Sequence, residues 1–300
     1  TATLVPSSED SPAIGWEASP PGVVSISVVS NKGGVSVCDI SFASSGDAVV
    51  TAFVSSVSAK CTVISQAPSL SDMPEGSSVY IQESGADVEF VVAKHGYEPG
   101  LNGPGRTLLI RKEPLAETVW NQTHVNTYDG SSIDRLLKGD YANRFSDTVK
   151  SAMGLTSFYY TVGGSTTEIR TLSRSVFLPS IYEMFDPDDK NADVYVNGSN
   201  PFFKKEGSVL PKQTRNVFVQ SYDDSVNRLI RRWSRSPAWR DYSGNPIQGQ
   251  LVGTYSLGTN NGGKTFFYSE SYNAWSSNKF SPAFTLPSTT KVGNDKKILL

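Results

Sequence analysis

The sequence predicts a mainly β protein whose second part is an α+β domain. Ser, Thr, Gly and Asn are abundant, which favours strands and turns. Short segments that alternate apolar and small polar residues recur early in the chain, as at residues 23–28 and 35–37. Helix-start residues followed by apolar residues at helical spacing are found first near Ser131. Strands are therefore expected throughout, with short helices in the second part.

Size and charge limit the classes of function. With 300 residues, the chain is long enough for two ordinary domains. An apolar content of 38% and a formal net charge of −2 argue against a disordered protein and against nucleic acid as a partner. No run approaches about 18 apolar residues, so no membrane span is expected. The sequence opens without a secretory leader or an initiator Met, which suggests a removed leader or a longer natural chain.

Residues 1–66 are predicted to form a β-sandwich. Strand signals at 23–28, 35–37, 48–54 and 61–64 are separated by turn residues, which is typical of sandwiches. The only cysteines, Cys38 and Cys61, are too few for a zinc site. We expect both to be small buried apolar residues of the sandwich, and a disulfide between them is the alternative in an oxidising compartment.

The same segment resembles the bacterial immunoglobulin-like repeat of group 2. That family has a Trp-Ser-Ser-like turn, a Gly-x-Ala-x-Val/Ile-x-Ala strand and a final Thr-Val-x-Val strand. The corresponding residues are Leu4-Val5-Pro6, Trp16-Glu17-Ala18-Ser19, Val23-Val24-Ser25-Ile26, Gly46-Asp47-Ala48-Val49-Val50-Thr51-Ala52 and Cys61-Thr62-Val63-Ile64. The resemblance implies an immunoglobulin-like sandwich that lacks its first strand, so one edge should be exposed or filled by another element.

Residues 67–75 carry two prolines and are predicted to be a linker, followed by a second domain at 76–290 and a tail at 291–300. Strands are expected at 79–82, 88–93 and 107–111. A helix should begin at Ser131 or Ser132, a second at Ser146, and a third after residues 176–180. Between the last two, residues 158–162 and 169–172 should form a hairpin around Gly163-Gly164.

The second domain resembles family 6273 of the domains of unknown function, which occurs in Gram-positive bacteria and their phages. Five motifs match in order: Ser132-Ile133-Asp134-Arg135-Leu136-Leu137, Phe145-Ser146-Asp147-Thr148-Val149-Lys150, Val176-Phe177-Leu178-Pro179-Ser180, Trp233-Ser234-Arg235-Ser236-Pro237 and Phe280-Ser281-Pro282-Ala283-Phe284-Thr285-Leu286. Ser281 departs from the pattern, since the family usually has Arg there. The resemblance implies a fold similar to the C-type-lectin-like fold, a fold-level analogy that says little about activity.

The residue inventory argues against an enzyme. His95 and His124 are the only histidines, and no Gly-x-Ser-x-Gly turn presents a nucleophile. Both histidines are interpreted as ordinary strand or loop residues. The cysteines lie outside the second domain, so that domain has no redox-active thiol. The glycines at 100, 103 and 105 precede no phosphate-binding sequence and are interpreted as a hairpin loop. No catalytic residue and no cofactor is predicted.

Two charged clusters have structural interpretations. A weak calcium candidate comprises Asp186, Asp188, Asp189, Asn191 and Asp193. It lacks the glycine and glutamate positions of an EF-hand loop, so a solvated acidic turn is favoured and no metal is predicted. The second cluster comprises Arg228, Arg231, Arg232, Arg235 and Arg240. Nucleic-acid binding would need more basic charge overall. We expect Arg235 to be buried against a carboxylate, with an anionic glycan as the alternative partner for the cluster.

The region between the last two family motifs is rich in Tyr, Trp, Asn, Ser and Gly, a composition typical of recognition surfaces. Predicted ligand-binding residues are Trp239, Tyr242, Asn260, Asn261, Tyr272, Asn273 and Trp275. About half of the aromatics along 250–257 and 265–272 should instead face a sheet core, by alternation. Trp233, Pro237, Pro282 and Phe284, in the bracketing motifs, are predicted to be buried scaffold.

Together these features predict an adhesion or receptor-binding protein exposed on a phage virion, such as a tail or head fibre. Its expected partners are a host surface glycan or protein, other virion proteins and further copies of itself. A bacterial cell-surface adhesin is the alternative within the binding class. An enzyme acting on cell-wall or glycan material is the alternative from another class, and a cleft with paired carboxylates would favour it.

Overall fold

The computed structural model describes residues 2–3, 11–42, 46–65, 67–164, 166–185, 203–221, 230–238, 251–259 and 265–300. The chain divides into two compact units. The first contains residues 1–68 and 291–297, and the second contains residues 69–290 and 298–300. Strands dominate both units, which confirms the prediction of a mainly β protein.

The first unit contains two three-stranded antiparallel sheets. Its strands are β1 (Ala2–Thr3), β2 (Gly15–Ser19), β3 (Val24–Lys32), β4 (Val35–Phe42), β5 (Gly46–Val54) and β6 (Val57–Ser65). One sheet has the order β1-β4-β3 and the other β2-β5-β6. Val24 from one sheet and Ala48 and Val50 from the other form a buried apolar cluster. The Trp16 indole nitrogen donates to Ser36 Oγ at 2.9 Å, which adds a polar link between the sheets.

The expectation of two buried cysteines is wrong. Cys38 on β4 is half-buried, Cys61 on β6 is exposed, and both are free thiols. Cys61 is exposed because β6 lies at the edge of its sheet, where residues 57–62 are all exposed. Of the region around the predicted missing first strand, the structure describes β1, which pairs with β4 over two residues. The missing strand stays a prediction.

The described part of the second unit contains three sheets of its own. Its strands are β7 (Ser78–Glu83), β8 (Ala86–His95), β9 (Arg106–Arg111), β10 (Leu115–Val119), β11 (Thr156–Gly163), β12 (Thr166–Arg174), β13 (Val219–Ser221), β14 (Arg232–Pro237), β15 (Leu251–Thr259), β16 (Thr265–Asn273), β17 (Ser277–Phe280) and β18 (Ala283–Pro287). Two short strands end the chain, β19 (Lys291–Val292) and β20 (Ile298–Leu299). One sheet has the order β18-β9-β8-β7, a second β10-β17-β14-β15-β13 with β16 on β15, and the third is the β11-β12 hairpin.

Among the described residues, five short α-helices accompany these sheets: α1 (Pro99–Asn102), α2 (Ser132–Leu136), α3 (Asp147–Met153), α4 (Ile181–Met184) and α5 (Lys212–Val217). Short 3₁₀ or π segments lie at Leu70–Asp72, Leu137–Tyr141 and Ala142–Arg144. Serine caps begin three of the α-helices, as predicted. Ser131 Oγ accepts from Asp134 N at 3.1 Å, and Ser180 Oγ accepts from Glu183 N at 3.0 Å. The Ser146 hydroxyl does the same for α3. Such caps satisfy amide groups that a helix N-terminus leaves unpaired.

Aromatic rings fill the core of the second unit. Phe90 on β8 packs edge-on against Phe284 on β18, with ring centroids 5.1 Å apart. Phe158 on β11 stacks on Phe177 at 4.5 Å, and Phe177 stacks on Tyr97 at 5.8 Å. These contacts join the β11-β12 hairpin to the segment that precedes α4.

The predicted linker is largely incorporated into the second unit. Leu70 is fully buried, and its amide donates to Thr290 O at 2.8 Å. Met73 O contacts His95 Nε2 at 2.9 Å. A buried apolar side chain and hydrogen bonds to Thr290 and His95 therefore connect this proline-containing segment to the second unit. Within the described residues, no helix is long and apolar enough to cross a membrane.

Candidate recognition surface

Strand β14 contains the Trp233–Pro237 motif, which precedes the predicted recognition region. The strand is buried along its whole length. The Trp233 ring is fully buried, and its indole nitrogen donates to Thr118 O at 2.9 Å. In return, the Trp120 indole nitrogen donates to Ser234 O at 3.0 Å. Pro237, Pro282 and Phe284 are also buried. Their burial confirms the prediction that the two motifs on either side of the recognition region are scaffold.

Arg235 forms a buried ion pair, as predicted, and its partner is Glu183. The two guanidinium Nη atoms donate to the two carboxylate oxygens, each at 2.8 Å, and both side chains are fully buried. The guanidinium lies 4.8 Å from the Phe158 ring centroid. Glu183 also accepts the amide of Ser180 at 2.8 Å, as part of a capping box on α4. One carboxylate therefore joins the start of α4 to β14.

Two further carboxylates surround this ion pair. The fully buried Glu206 accepts from Thr161 N at 2.6 Å and from the Ser236 hydroxyl. Burial raises the pKa of its carboxyl, although Arg235 opposes that rise. Glu98 accepts from Ser208 N at 3.0 Å and is 7% exposed. These carboxylates lie in the protein interior rather than in an open cleft, so the described geometry makes them part of the scaffold.

The turn between β16 and β17 brings two predicted ligand-binding residues to the surface. Ser276 N donates to Asn273 O at 2.8 Å and closes the turn. Ala274 within it is fully buried, whereas Asn273 is exposed and Trp275 is 37% exposed. Asn273 and Trp275 therefore point away from an anchored backbone.

Tyr272, the third predicted residue that the structure describes, is half-buried. Its ring packs edge-on against Trp233, with centroids 6.5 Å apart, and Arg231 lies over it at 5.5 Å. Tyr272 therefore packs against the buried scaffold. Trp239, Tyr242, Asn260 and Asn261 lie outside the described residues, as do the calcium candidates Asp186, Asp188, Asp189, Asn191 and Asp193.

A second segment meets the turn, and sequence reasoning missed it. The exposed His124 ring lies 4.4 Å from the Trp275 ring, centroid to centroid, with 33° between their planes. Val125, the next residue, is 44% exposed. We call His124 and Trp275 the aromatic platform. No local pattern in the sequence links two residues so far apart, because only the fold of the second unit brings them together.

Asn121 holds the His124 loop against the turn. Its main-chain amide nitrogen donates to Ala274 O at 2.8 Å, and its side-chain nitrogen donates to Val125 O at 2.8 Å. Asn121 itself is 3% exposed. His124 has a φ of 62°, a left-handed conformation that costs energy for a residue other than glycine. The Asn121 bonds hold the loop in this conformation.

Comparison with known families identifies the second unit. The sequence profile described as "Domain of unknown function (DUF6273)" matches residues 104–288, which is more than half of the chain. The chain belongs to this family. The five motifs that suggested the resemblance all fall within the matched residues. No curated protein and no solved structure matches the chain.

Both elements of the aromatic platform lie within the DUF6273 region. So does Ser281. The Ser281 hydroxyl is buried and accepts a hydrogen bond from Arg232 Nε at 3.2 Å. In this DUF6273 member, the Arg232 guanidinium on β14 therefore contacts Ser281, which lies just before β18.

The two segments that carry the platform have no charged residue of their own, although the Arg231 guanidinium lies over the Tyr272 ring at 5.5 Å. Residues 120–128 and 271–278 contain no Asp, Glu, Lys or Arg. The exposed polar groups there are amides and hydroxyls, including Gln122 and Asn273. An aromatic pair with a neutral polar rim suits recognition of a ligand better than proton transfer or metal binding.

Proposed function

We propose that this chain is a recognition protein that binds a ligand on a bacterial surface as an exposed part of a phage virion, such as a tail or head fibre. One observation carries the proposal: an exposed aromatic pair, His124 and Trp275, is held by a buried and hydrogen-bonded scaffold. Rigid scaffolds that present aromatic residues in loops are typical of binding proteins.

The scaffold supports binding for an energetic reason. Ordering a mobile side chain on association costs about 0.5–1.5 kcal/mol. The Asn121 hydrogen bonds and the His124 contact restrict the Trp275 ring before any ligand arrives. Less of the interaction energy is then spent on ordering, so a small aromatic surface can contribute measurably to affinity.

We also propose the finer fold assignments. The two three-stranded sheets packed around Val24, Ala48 and Val50 support an immunoglobulin-like first unit. The sheets, capped helices and family motifs of the second unit support a C-type-lectin-like fold. By the same analogy, the first unit connects the chain to other virion proteins or to further copies of itself.

The binding function is tested with intact cells. Fluorescently labelled full chain is titrated onto a panel of Gram-positive bacteria, and Trp275→Ala is compared with the wild type. Loss of an aromatic anchor should reduce the free energy of binding by about 2 kcal/mol, roughly thirtyfold in Kd. The matched control is Leu155→Ala, because Leu155 is 73% exposed in the same unit and lies outside the platform.

Thermal denaturation accompanies each titration, since surface substitutions usually change stability by no more than about 0.5 kcal/mol. Unchanged binding by Trp275→Ala, or a comparable loss in Leu155→Ala, would contradict the proposed site. Immunogold labelling of phage particles and of uninfected bacteria then separates a virion fibre from a cell-surface adhesin. Label on bacterial walls alone would favour the adhesin.

A further inference from the structure

We propose that the aromatic platform binds an uncharged hexopyranose ring of a surface glycan. This inference rests on the proposed recognition function and names the ligand class of the same site. It follows from the shape, the hydrogen-bonding groups and the charge of the platform.

The shape favours a flat, partly apolar ligand. With ring centroids 4.4 Å apart and planes 33° apart, the His124 imidazole packs against the Trp275 indole and restricts its motion. The exposed 37% of Trp275 then offers a rigid aromatic surface. A pyranose ring has clusters of C–H groups that pack on an aromatic ring and form weak C–H contacts with its π electrons.

The rim supplies the polar contacts that a sugar needs. Hydroxyl groups around a pyranose ring both donate and accept hydrogen bonds. Gln122 and Asn273 are exposed, and each side-chain amide offers two donors and one carbonyl acceptor. Among the described residues, no hydrogen bond occupies either side-chain amide. In this proposal, these amides therefore lie against adjacent hydroxyls while the ring lies on the indole.

The lack of charged residues in the two segments argues against the main competing ligands. Residues 120–128 and 271–278 carry no carboxylate, ammonium or guanidinium group. Phosphates, uronic acids and charged peptides gain affinity mainly from charge-assisted hydrogen bonds, which these segments do not provide. A neutral sugar loses nothing by this lack of charge, so uncharged hexoses fit the site best.

Asn121 is assigned as a positioning residue rather than a ligand contact. It is 3% exposed; its main-chain amide donates to Ala274 O, and its side-chain nitrogen donates to Val125 O in the His124 loop. Asn121→Ala would remove the side-chain bond to Val125 O and keep the main-chain bond to Ala274 O, so it should free His124 to leave the indole and weaken sugar binding without moving the turn. The platform would then lose its preorganised geometry while Trp275 itself remained in place.

The test uses full chain and defined oligosaccharides. Maltohexaose and cellohexaose serve as neutral probes, and an oligogalacturonate of the same length serves as the anionic control. Isothermal titration calorimetry gives Kd, and saturation-transfer NMR shows which sugar protons touch the protein. We expect at least one neutral probe to bind, with saturation concentrated on C–H protons of one ring face, and the anionic control to bind at least tenfold more weakly.

Variants separate ring stacking from other roles. Trp275→Ala and His124→Ala should each weaken binding of the neutral probe at least tenfold. His124→Phe, which keeps a flat ring without its nitrogens, should restore most of the affinity. Leu155→Ala should bind like the wild type. Melting temperatures of all variants identify any loss caused by misfolding, and Trp275→Phe provides a smaller-ring variant if Trp275→Ala unfolds.

The outcomes distinguish this inference from the proposed function. If neither neutral probe binds at millimolar concentration, while Trp275→Ala still abolishes binding to cells, the glycan inference is wrong and the recognition function stands. If a neutral probe binds equally well to wild type and Trp275→Ala, the platform is not its site. Preferential binding of the anionic control would overturn the assignment to uncharged sugars.

Discussion

Arg235→Met is the substitution that most directly tests how the scaffold is held together. Methionine keeps an unbranched chain of similar length but removes the guanidinium. The change removes two 2.8 Å hydrogen bonds to Glu183 and one each to Tyr159 O, Leu178 O and Glu206 O. It also leaves the buried Glu183 without its countercharge. Breaking a buried pair in this way costs about 3–5 kcal/mol.

A second substitution distinguishes the pair from its individual members. Glu183→Gln keeps a side chain that can cap α4 but removes the negative charge. Combined with Arg235→Met, it removes both charges, so the double variant should be destabilised less than the sum of the two single variants. The difference should be about 1–3 kcal/mol, as for directly contacting groups.

The assay is urea denaturation followed by tryptophan fluorescence, which reports the buried Trp120 and Trp233 of the second unit. Arg170→Met is the matched control, because Arg170 pairs with Glu168 at the surface, where side-chain exposures are 57% and 52%. Exposed pairs contribute about 0–1 kcal/mol, so this control should change little. A cost below about 1 kcal/mol for Arg235→Met, or additive single variants, would refute the role of this ion pair.

Three further predictions concern the same scaffold. Trp233→Ala should destabilise the second unit by about 3–5 kcal/mol in urea denaturation, because its ring is fully buried; a cost below about 1 kcal/mol would contradict this. Gly163→Ala should destabilise more than Gly85→Ala: both have a φ of 83°, but only at Gly163 would a Cβ lie 2.6 Å from Asn126 O, so equal melting temperatures would count against this packing. Burial raises the pKa of Glu206, so the folded chain keeps this proton to higher pH, and the associated stability is lost as pH rises through the folded value. Glu206→Gln should therefore raise denaturation midpoints relative to the wild type more at pH 8 than at pH 4, and identical pH profiles would show that Glu206 does not titrate this way.

Local signals in the sequence predicted local structure well. The serine caps of α2, α3 and α4 depend on side-chain bonds to amides three residues away, so short motifs were sufficient to find them. The burial of Trp233 and Arg235 was also predicted, because both residues lie in a strand motif of the second domain. Glu183, the partner of Arg235, lies 52 residues earlier and has no local feature that marks it as a buried countercharge.

Predictions that depended on long-range packing did less well. The segment around Cys61 has the composition of a core strand of a sandwich. However, β6 is an edge strand, and Cys61 is exposed. Leu70 lies between prolines in a predicted linker, yet it is buried because the chain returns to it at Thr290. The same limit applies to the aromatic platform. Trp275 was predicted from composition, whereas His124 required the turn and its loop to meet in space.

The most direct test of the recognition account is hydroxyl-radical footprinting of the chain free in solution and bound to an intact bacterium from the panel that captures it. Mass spectrometry measures oxidation of Trp275, with the exposed Leu155 as internal reference. Binding through the platform should slow oxidation of Trp275 and His124 severalfold while Leu155 is oxidised at an unchanged rate. Equal oxidation of Trp275 in the free and bound states would contradict the account.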